Sequence, residues 1–137
     1  MSMDRNPVLA RILIWATQSR LPFIGRLLGT YCNCDFTLRF VGPGLALPHP
    51  YGIVIHDRAV LGADCLIMHN VTVGSTPNRS GVPVLGDGVF VGAGAVILGA
   101  VRIGSGARIG ANSVVLADVP PGATAVGAPA RVLRTSA

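Results

Sequence analysis

Lysine and glutamate are absent from this sequence, so acid–base or nucleophilic chemistry must come from three His, six Asp, three Cys and the hydroxyl side chains. His49 stands out by its neighbours, in Leu47-Pro48-His49-Pro50-Tyr51-Gly52, where a proline on each side fixes the backbone that presents the imidazole. Histidine titrates near neutrality, and a rigidly held imidazole suits a general base. The plainer reading is a turn histidine between two prolines. His56 and His69 lie at corner positions of the repeat described next, which favours solvated or packed roles. The cysteines, Cys32, Cys34 and Cys65, are too few for a disulfide framework, and no second Cys or His pair completes a four-ligand zinc pattern. There is no Gly-x-Ser-x-Gly run, so no covalent acyl-enzyme is expected.

These residues must be positioned by a repeat of six. From Ile55, steps of six reach Leu61, Ile67, Val73, Arg79, Leu85, Val91, Ile97, Ile103, Ile109 and Val115, and ten of the eleven slots are aliphatic. Four residues after each slot comes a small or β-branched residue, from Ala59 to Val119, except at Pro77 and Pro83. Gly recurs one residue after the slot at 62, 74, 86, 92, 104 and 110, which reads as a need for freedom in φ at a corner. Six is not a helical period but suits a short strand followed by a bend. A short strand cannot bury its inner face alone, so the chain is expected to stack into an all-β solenoid lined by the aliphatic slots. Asp57, Asp64, Asp87 and Asp118 fall at corners, where carboxylates satisfy backbone donors. Asp4 lies near a terminus expected to fray, which leaves Asp35 as the carboxylate without an architectural duty.

The run Ser75-Thr76-Pro77-Asn78-Arg79-Ser80-Gly81 is turn chemistry, and a loop over 75–82 is expected to leave the solenoid. Upstream, Leu and Ile alternate with Arg and Pro22 divides the stretch, which predicts two short amphipathic helices between Pro7 and Gly29. The expected organisation is a helical segment over 1–40, a β-helix over 41–120 and a C-terminal tail over 121–137.

The runs Gly42-Pro43-Gly44-Leu45-Ala46-Leu47-Pro48-His49-Pro50-Tyr51-Gly52-Ile53-Val54-Ile55-His56, Val71-Thr72-Val73-Gly74 and Gly127-Ala128-Pro129-Ala130-Arg131-Val132 resemble the serine O-acetyltransferase branch of the hexapeptide-repeat acyltransferases. The resemblance extends from Leu21 to Leu133. It implies a left-handed parallel β-helix with three hexads per coil, and direct transfer of an acetyl group from acetyl-CoA to a hydroxyl. His49 would be the base. It also implies an Asp about fifteen residues earlier that orients that base; Cys34 stands at that offset and Asp35 one residue on, so Asp35 is the candidate. Gly92, Ala93, Gly94 and Ala111 correspond to small residues along which the family lays the pantetheine arm, with Arg108 and Arg131 placed for phosphates. A homotrimer with active sites between subunits is implied as well.

Two local departures bear on the acceptor. Pro48 stands where the family has an acid before the base, and Gly81-Val82 stand where it has an Arg-His pair. A zwitterionic amino acid needs charged partners, whereas a sugar hydroxyl does not. The expected acceptor is therefore a sugar or other small alcohol, with serine as the alternative and a non-catalytic trimeric module as a third reading. Three His separated by seven and thirteen residues do not fit the zinc triad of the carbonic anhydrase that shares this fold, so no metal is expected. A net charge of +5 without a basic cluster or interleaved aromatics gives no ground for nucleic-acid binding. Arg11, Arg20 and Arg26 interrupt the one apolar stretch long enough to consider as a span, and no secretory signal is read, so a cytoplasmic location is expected, with peripheral membrane contact through the Arg-bearing helices left open.

Overall fold

The computed structural model describes residues 7–18, 22–36 and 38–133; Asp4, Arg20 and Leu21, named above, lie outside them. Two helices come first, α1 (Val8–Gln18) and α2 (Pro22–Cys32). Pro22 opens α2, where a missing N–H costs no helical hydrogen bond. Strands follow: β1 (Asp35–Phe36), β2 (Phe40–Val41), β3 (Val54–Ile55), β4 (Val60–Leu61), β5 (Leu66–Ile67), β6 (Thr72–Gly74) and β7 (Val84–Leu85). The second half contains β8 (Phe90–Val91), β9 (Val96–Leu98), β10 (Arg102–Ile103), β11 (Arg108–Ile109), β12 (Val114–Val115), β13 (Thr124–Gly127) and β14 (Ala130–Val132).

The strands form the three walls of a left-handed parallel β-helix. The first sheet runs β1-β3-β6-β9-β12, the second β2-β4-β7-β10 and the third β5-β8-β11-β13-β14. Every pair is parallel except β13 with β14. In each strand the aliphatic slot points inward, and Leu61, Ile67, Val73, Leu85, Val91, Ile97, Ile103 and Ile109 are at most 2% exposed. The small slot at each corner is closed too, with Ala59, Cys65, Val71, Val89, Ala95 and Ala107 completing the core. Ser113 is the buried polar member, and its Oγ accepts a hydrogen bond from the Gly127 N–H at 3.1 Å. Asp87 and Asp118 perform the corner duty expected of them, their Oδ1 atoms accepting from the N–H groups of Ala63 and Arg102, each at 2.8 Å.

The recurring glycines are required for a different reason than the sequence suggests. Gly62, Gly74, Gly86, Gly92, Gly104 and Gly110 do not have positive φ. At Gly92 a Cβ would lie 2.6 Å from the Ala111 nitrogen, so most of these glycines let the next coil approach. Positive φ falls two residues later, as at Asp64 (56°) and Gly94 (71°).

Strand pairing also locates every departure from the period. Phe90 and Arg108 are partners 18 residues apart, the regular coil. Val60 pairs with Val84, 24 apart, because loop 75–82 adds one whole hexad and so preserves the phase. Ala46 is opposite Leu66, 20 apart, whereas Asp35 and Val54 are 19 apart. One residue is thus lost between β1 and β2, and two are gained between Ala46 and β3, in the segment that carries His49. At the far end Val119 pairs with Ile103, only 16 apart. Two residues are missing after β12, so Val119 fills the aliphatic row and not the small slot.

Both expected boundaries shift accordingly. The sheets begin at Asp35, inside the segment expected to be helical, and the tail over 121–137 contains β13, a further rung of the third sheet, and its partner β14.

The inward row predicts a sharp contrast in stability. Ile97, fully buried between Val73 and Val115, should cost about 2–4 kcal/mol as Ile97→Ala. The outward Val132, in Val132→Thr, should change stability by no more than about 0.5 kcal/mol. Urea unfolding of both variants measures the difference.

Candidate active site

His49 occupies the corner between the third and first sheets, where the two extra residues let the chain bulge outward. Leu47 and Ile53 anchor the bulge in the core, both 0% exposed, and Pro50 is buried while His49 is exposed. The turn is tight, with the Tyr51 N–H donating to the His49 carbonyl at 2.8 Å, and Gly52 takes φ of 64°. Neighbours tie it down: the Gly52 N–H donates to the Cys32 carbonyl at 3.2 Å and the Asn70 N–H to the Tyr51 carbonyl at 2.9 Å.

The next coil places His69 at the same corner. The two imidazole rings meet edge to face, centroids 5.8 Å apart at 82°. His69 is half-buried, and its Nδ1 is enclosed without a hydrogen-bond partner. Sequence reasoning missed this pairing, although the signal was present: His49 and His69 are 20 residues apart, the same offset as Ala46 and Leu66.

The same edge continues through two more coils. The His69 carbonyl accepts from the Gly94 N–H at 3.0 Å, and the Ala93 carbonyl from the Asn112 N–H at 2.8 Å. Tyr51-Gly52, His69-Asn70, Ala93-Gly94 and Ala111-Asn112 therefore form one column, and the bulged His49 sets its ring against His69 at the start of it. Three of the four small residues expected to accept a cofactor arm, Ala93, Gly94 and Ala111, lie along it with accessible surface. Gly92 is buried, and the approach of the Ala111 backbone accounts for it without a ligand. Arg108 and Arg131 are both exposed on the third sheet beside this edge, Arg108 stacked over the Phe90 ring at 4.6 Å and Arg131 on β14.

Asp35 is not brought to His49. It lies on β1 in register with Val54 and lines a groove with His56, Asp57 and Ser75, toward the opposite corner of the first sheet. No side-chain hydrogen bond joins Asp35 to His49 among the described residues. Neighbouring residues of an extended chain point to opposite sides, so the side chain that reaches the His49 corner is that of Cys34. Its Sγ accepts from the Ile53 N–H at 3.4 Å and lies 3.3 Å from the Pro50 carbonyl, to which the thiol donates. In the groove, the His56 Nδ1 accepts from the Arg58 N–H at 3.1 Å and lies 3.0 Å from Asp57 Oδ1, a local corner arrangement. No three metal-ligating side chains gather among the described residues.

The thiols are poor nucleophiles. Burial pushes the Cys34 thiol up, and the Ile53 N–H offsets this only in part. Burial also raises Cys65, which sits in the core, and Cys32 at the end of α2. The exposed His49 ring lies against His69 at the start of a column whose later rungs, Ala93-Gly94 and Ala111-Asn112, carry small side chains.

Residues 83–117 match the family of bacterial transferase hexapeptide repeats (six repeats). The serine acetyltransferase of Synechococcus elongatus is 43% identical over 136 residues, covering 94% of this chain and 56% of that protein. The soybean serine acetyltransferase apoenzyme superposes with a TM-score of 0.76 at 41% identity, over 89% of this chain and 53% of the other. A serine acetyltransferase solved in complex with CoA gives a TM-score of 0.75 at 36% identity, over 91% and 54%. The chain spans between about a quarter and somewhat over half of the length of the curated relatives it matches.

A thiol pushed up by burial has little thiolate at neutral pH, and its reaction begins only as pH passes the ordinary thiol range. With an aromatic disulfide reagent at pH 8, the native protein should label at least about tenfold more slowly than a free thiol. All three cysteines should label at once after unfolding, and absorbance of the released thiolate follows both reactions.

Proposed function

The chain is a hexapeptide-repeat protein of the serine acetyltransferase-like branch, and on that premise we propose that it is an acetyl-CoA-dependent O-acetyltransferase with His49 as its general base. The observation that carries this reading is the single edge that holds His49 against His69 at one end and Ala93, Gly94 and Ala111 on the coils that follow. The base and the donor channel are then one continuous surface.

In the proposed reaction a neutral His49 nitrogen takes the proton of the acceptor hydroxyl as its oxygen attacks the thioester carbonyl. A tetrahedral intermediate forms, the carbon–sulfur bond breaks, and the imidazolium returns the proton to the departing CoA thiolate. Backbone N–H groups at the edge stabilise the oxyanion. No cysteine intervenes, since Cys65 is enclosed and Cys34 is engaged with the backbone. Orientation of the imidazole falls to the corner itself, through Pro48, Pro50 and the ties to Cys32, Cys34 and Asn70, and no longer to Asp35. Arg108 and Arg131 are the partners for CoA phosphates.

Serine replaces a sugar as the acceptor favoured first, because similarity to serine acetyltransferases extends over 94% of this chain. A sugar or other uncharged alcohol is the second reading, favoured by Pro48 and by Gly81-Val82, which supply no charge for a zwitterion. Loop 75–82 leaves the corner between the first and second sheets, whereas His49 stands between the third and first. A homotrimer, in which one subunit's loop reaches the neighbour's His49 edge, would unite the two, and apolar outer residues such as Val54, Val60 and Val84 supply surface for it.

His49→Ala should lower kcat by about 100-fold or more while CoA affinity stays within about threefold, because the base acts in the transition state. Asp35→Asn should leave kcat within about threefold. Thiol release from acetyl-CoA, run with serine and a panel of sugars, tests the activity and the acceptor together; activity of His49→Ala near wild type removes His49 from the mechanism. Light scattering should give three times the chain mass, and a monomer at assay concentration rejects the shared site.

A further inference from the structure

We propose that the two N-terminal helices form a docking face for an anionic membrane surface, independently of the acceptor that the enzyme uses. The inner faces of α1 and α2 are already spent. Ala10, Leu13 and Ala16 are 0% exposed, and Ala10 and Ile14 pack on the solenoid core. Each helix nevertheless carries a second apolar stripe on its outer side. On α1 this is Val8, Ile12 and Trp15, spaced four and three apart; on α2 it is Phe23, Leu27 and Tyr31, spaced four apart. Trp15 is 58%, Phe23 79% and Tyr31 81% exposed. A helix lying between a core and water should be polar on that side.

The charge pattern chooses the occupant. From Arg5 to Cys34 the sequence contains no acidic residue, and every charge is Arg. On the described helices Arg11 and Arg26 are exposed beside the apolar stripes. A second copy docked face to face would bring these guanidinium groups toward their own counterparts with no carboxylate between them, a costly burial. Lipid phosphates supply the missing negative charge. Tryptophan and tyrosine favour the interface between headgroups and acyl chains, and long Arg side chains can reach up to the phosphates while the apolar residues enter below. Each helix has 11 residues, about half of what crossing a bilayer takes, so the face lies on the surface and does not span it.

Flotation of the full chain with two kinds of vesicle tests this, one of phosphatidylcholine mixed with phosphatidylglycerol and one of phosphatidylcholine alone. The chain should float with the mixed vesicles and bind the neutral ones at least about tenfold more weakly, with the difference reduced at high salt. Trp15→Glu with Leu27→Glu should abolish flotation at unchanged circular dichroism and unchanged mass by light scattering. The milder Arg11→Gln with Arg26→Gln should weaken it while keeping the apolar stripes. Failure to float with the mixed vesicles overturns the proposal, as does equal binding to both kinds. A fall in oligomer mass in the Glu variant also overturns it, since the face would then be an interface between copies. Thiol release from acetyl-CoA is read separately, so loss of membrane binding and loss of catalysis remain distinguishable.

Discussion

Everything in this molecule depends on one coil lying directly on the next. Strands of two to four residues cannot hold themselves together, and their inner faces leave water only when another coil covers them above and below. The distance between coils is set by backbone hydrogen bonding, so no side chain can intervene at the corners where the chain bends. That is why a Cβ at Gly92 would meet the Ala111 backbone at 2.6 Å, and why Gly104 is hemmed in by Pro121. The aliphatic rows, the corner glycines and the Asp side chains that cap neighbouring N–H groups are three answers to the same close approach.

Function enters where this regularity is broken. A regular coil presents short, flat walls with little to grip a substrate. Two extra residues before β3 push His49 out of the wall while Leu47 and Ile53 hold both ends of the excursion in the core. Rigidity and exposure, which usually oppose each other, are thereby combined in one side chain. Loop 75–82 is the other break, and because it lengthens its coil by one hexad the walls on either side remain in phase.

Much of the fold could be read from the residues, because a period of six in aliphatic side chains has few other physical explanations. The position of His49 was legible for a similar reason, since two prolines leave little doubt about a fixed backbone. What escaped were offsets. The choice between Cys34 and Asp35 turns on one residue lost between β1 and β2, and a strand reverses its side chains with each residue. His69 looked like an ordinary corner residue until the coil length of 20 put it beside His49. The glycines were recognised as necessary but for the wrong cause, because a sequence records the absence of a side chain without recording what fills its place. Val119 was displaced by a two-residue deletion that no local composition announces.

The antiparallel strand β14 bears on how the stack ends. A stack of identical parallel rungs is an open template, and nothing in its geometry says where growth should stop. On the third wall the last rung is β14, which pairs with β13 through Ala125–Val132, Val126–Arg131 and Gly127–Ala130 with its direction reversed. A further parallel coil would meet on this wall a strand that runs the opposite way and carries Arg131. Among the described residues the reversal gives the third wall an outer strand of opposite polarity, whereas β12 and β10 end the other two walls parallel to their neighbours.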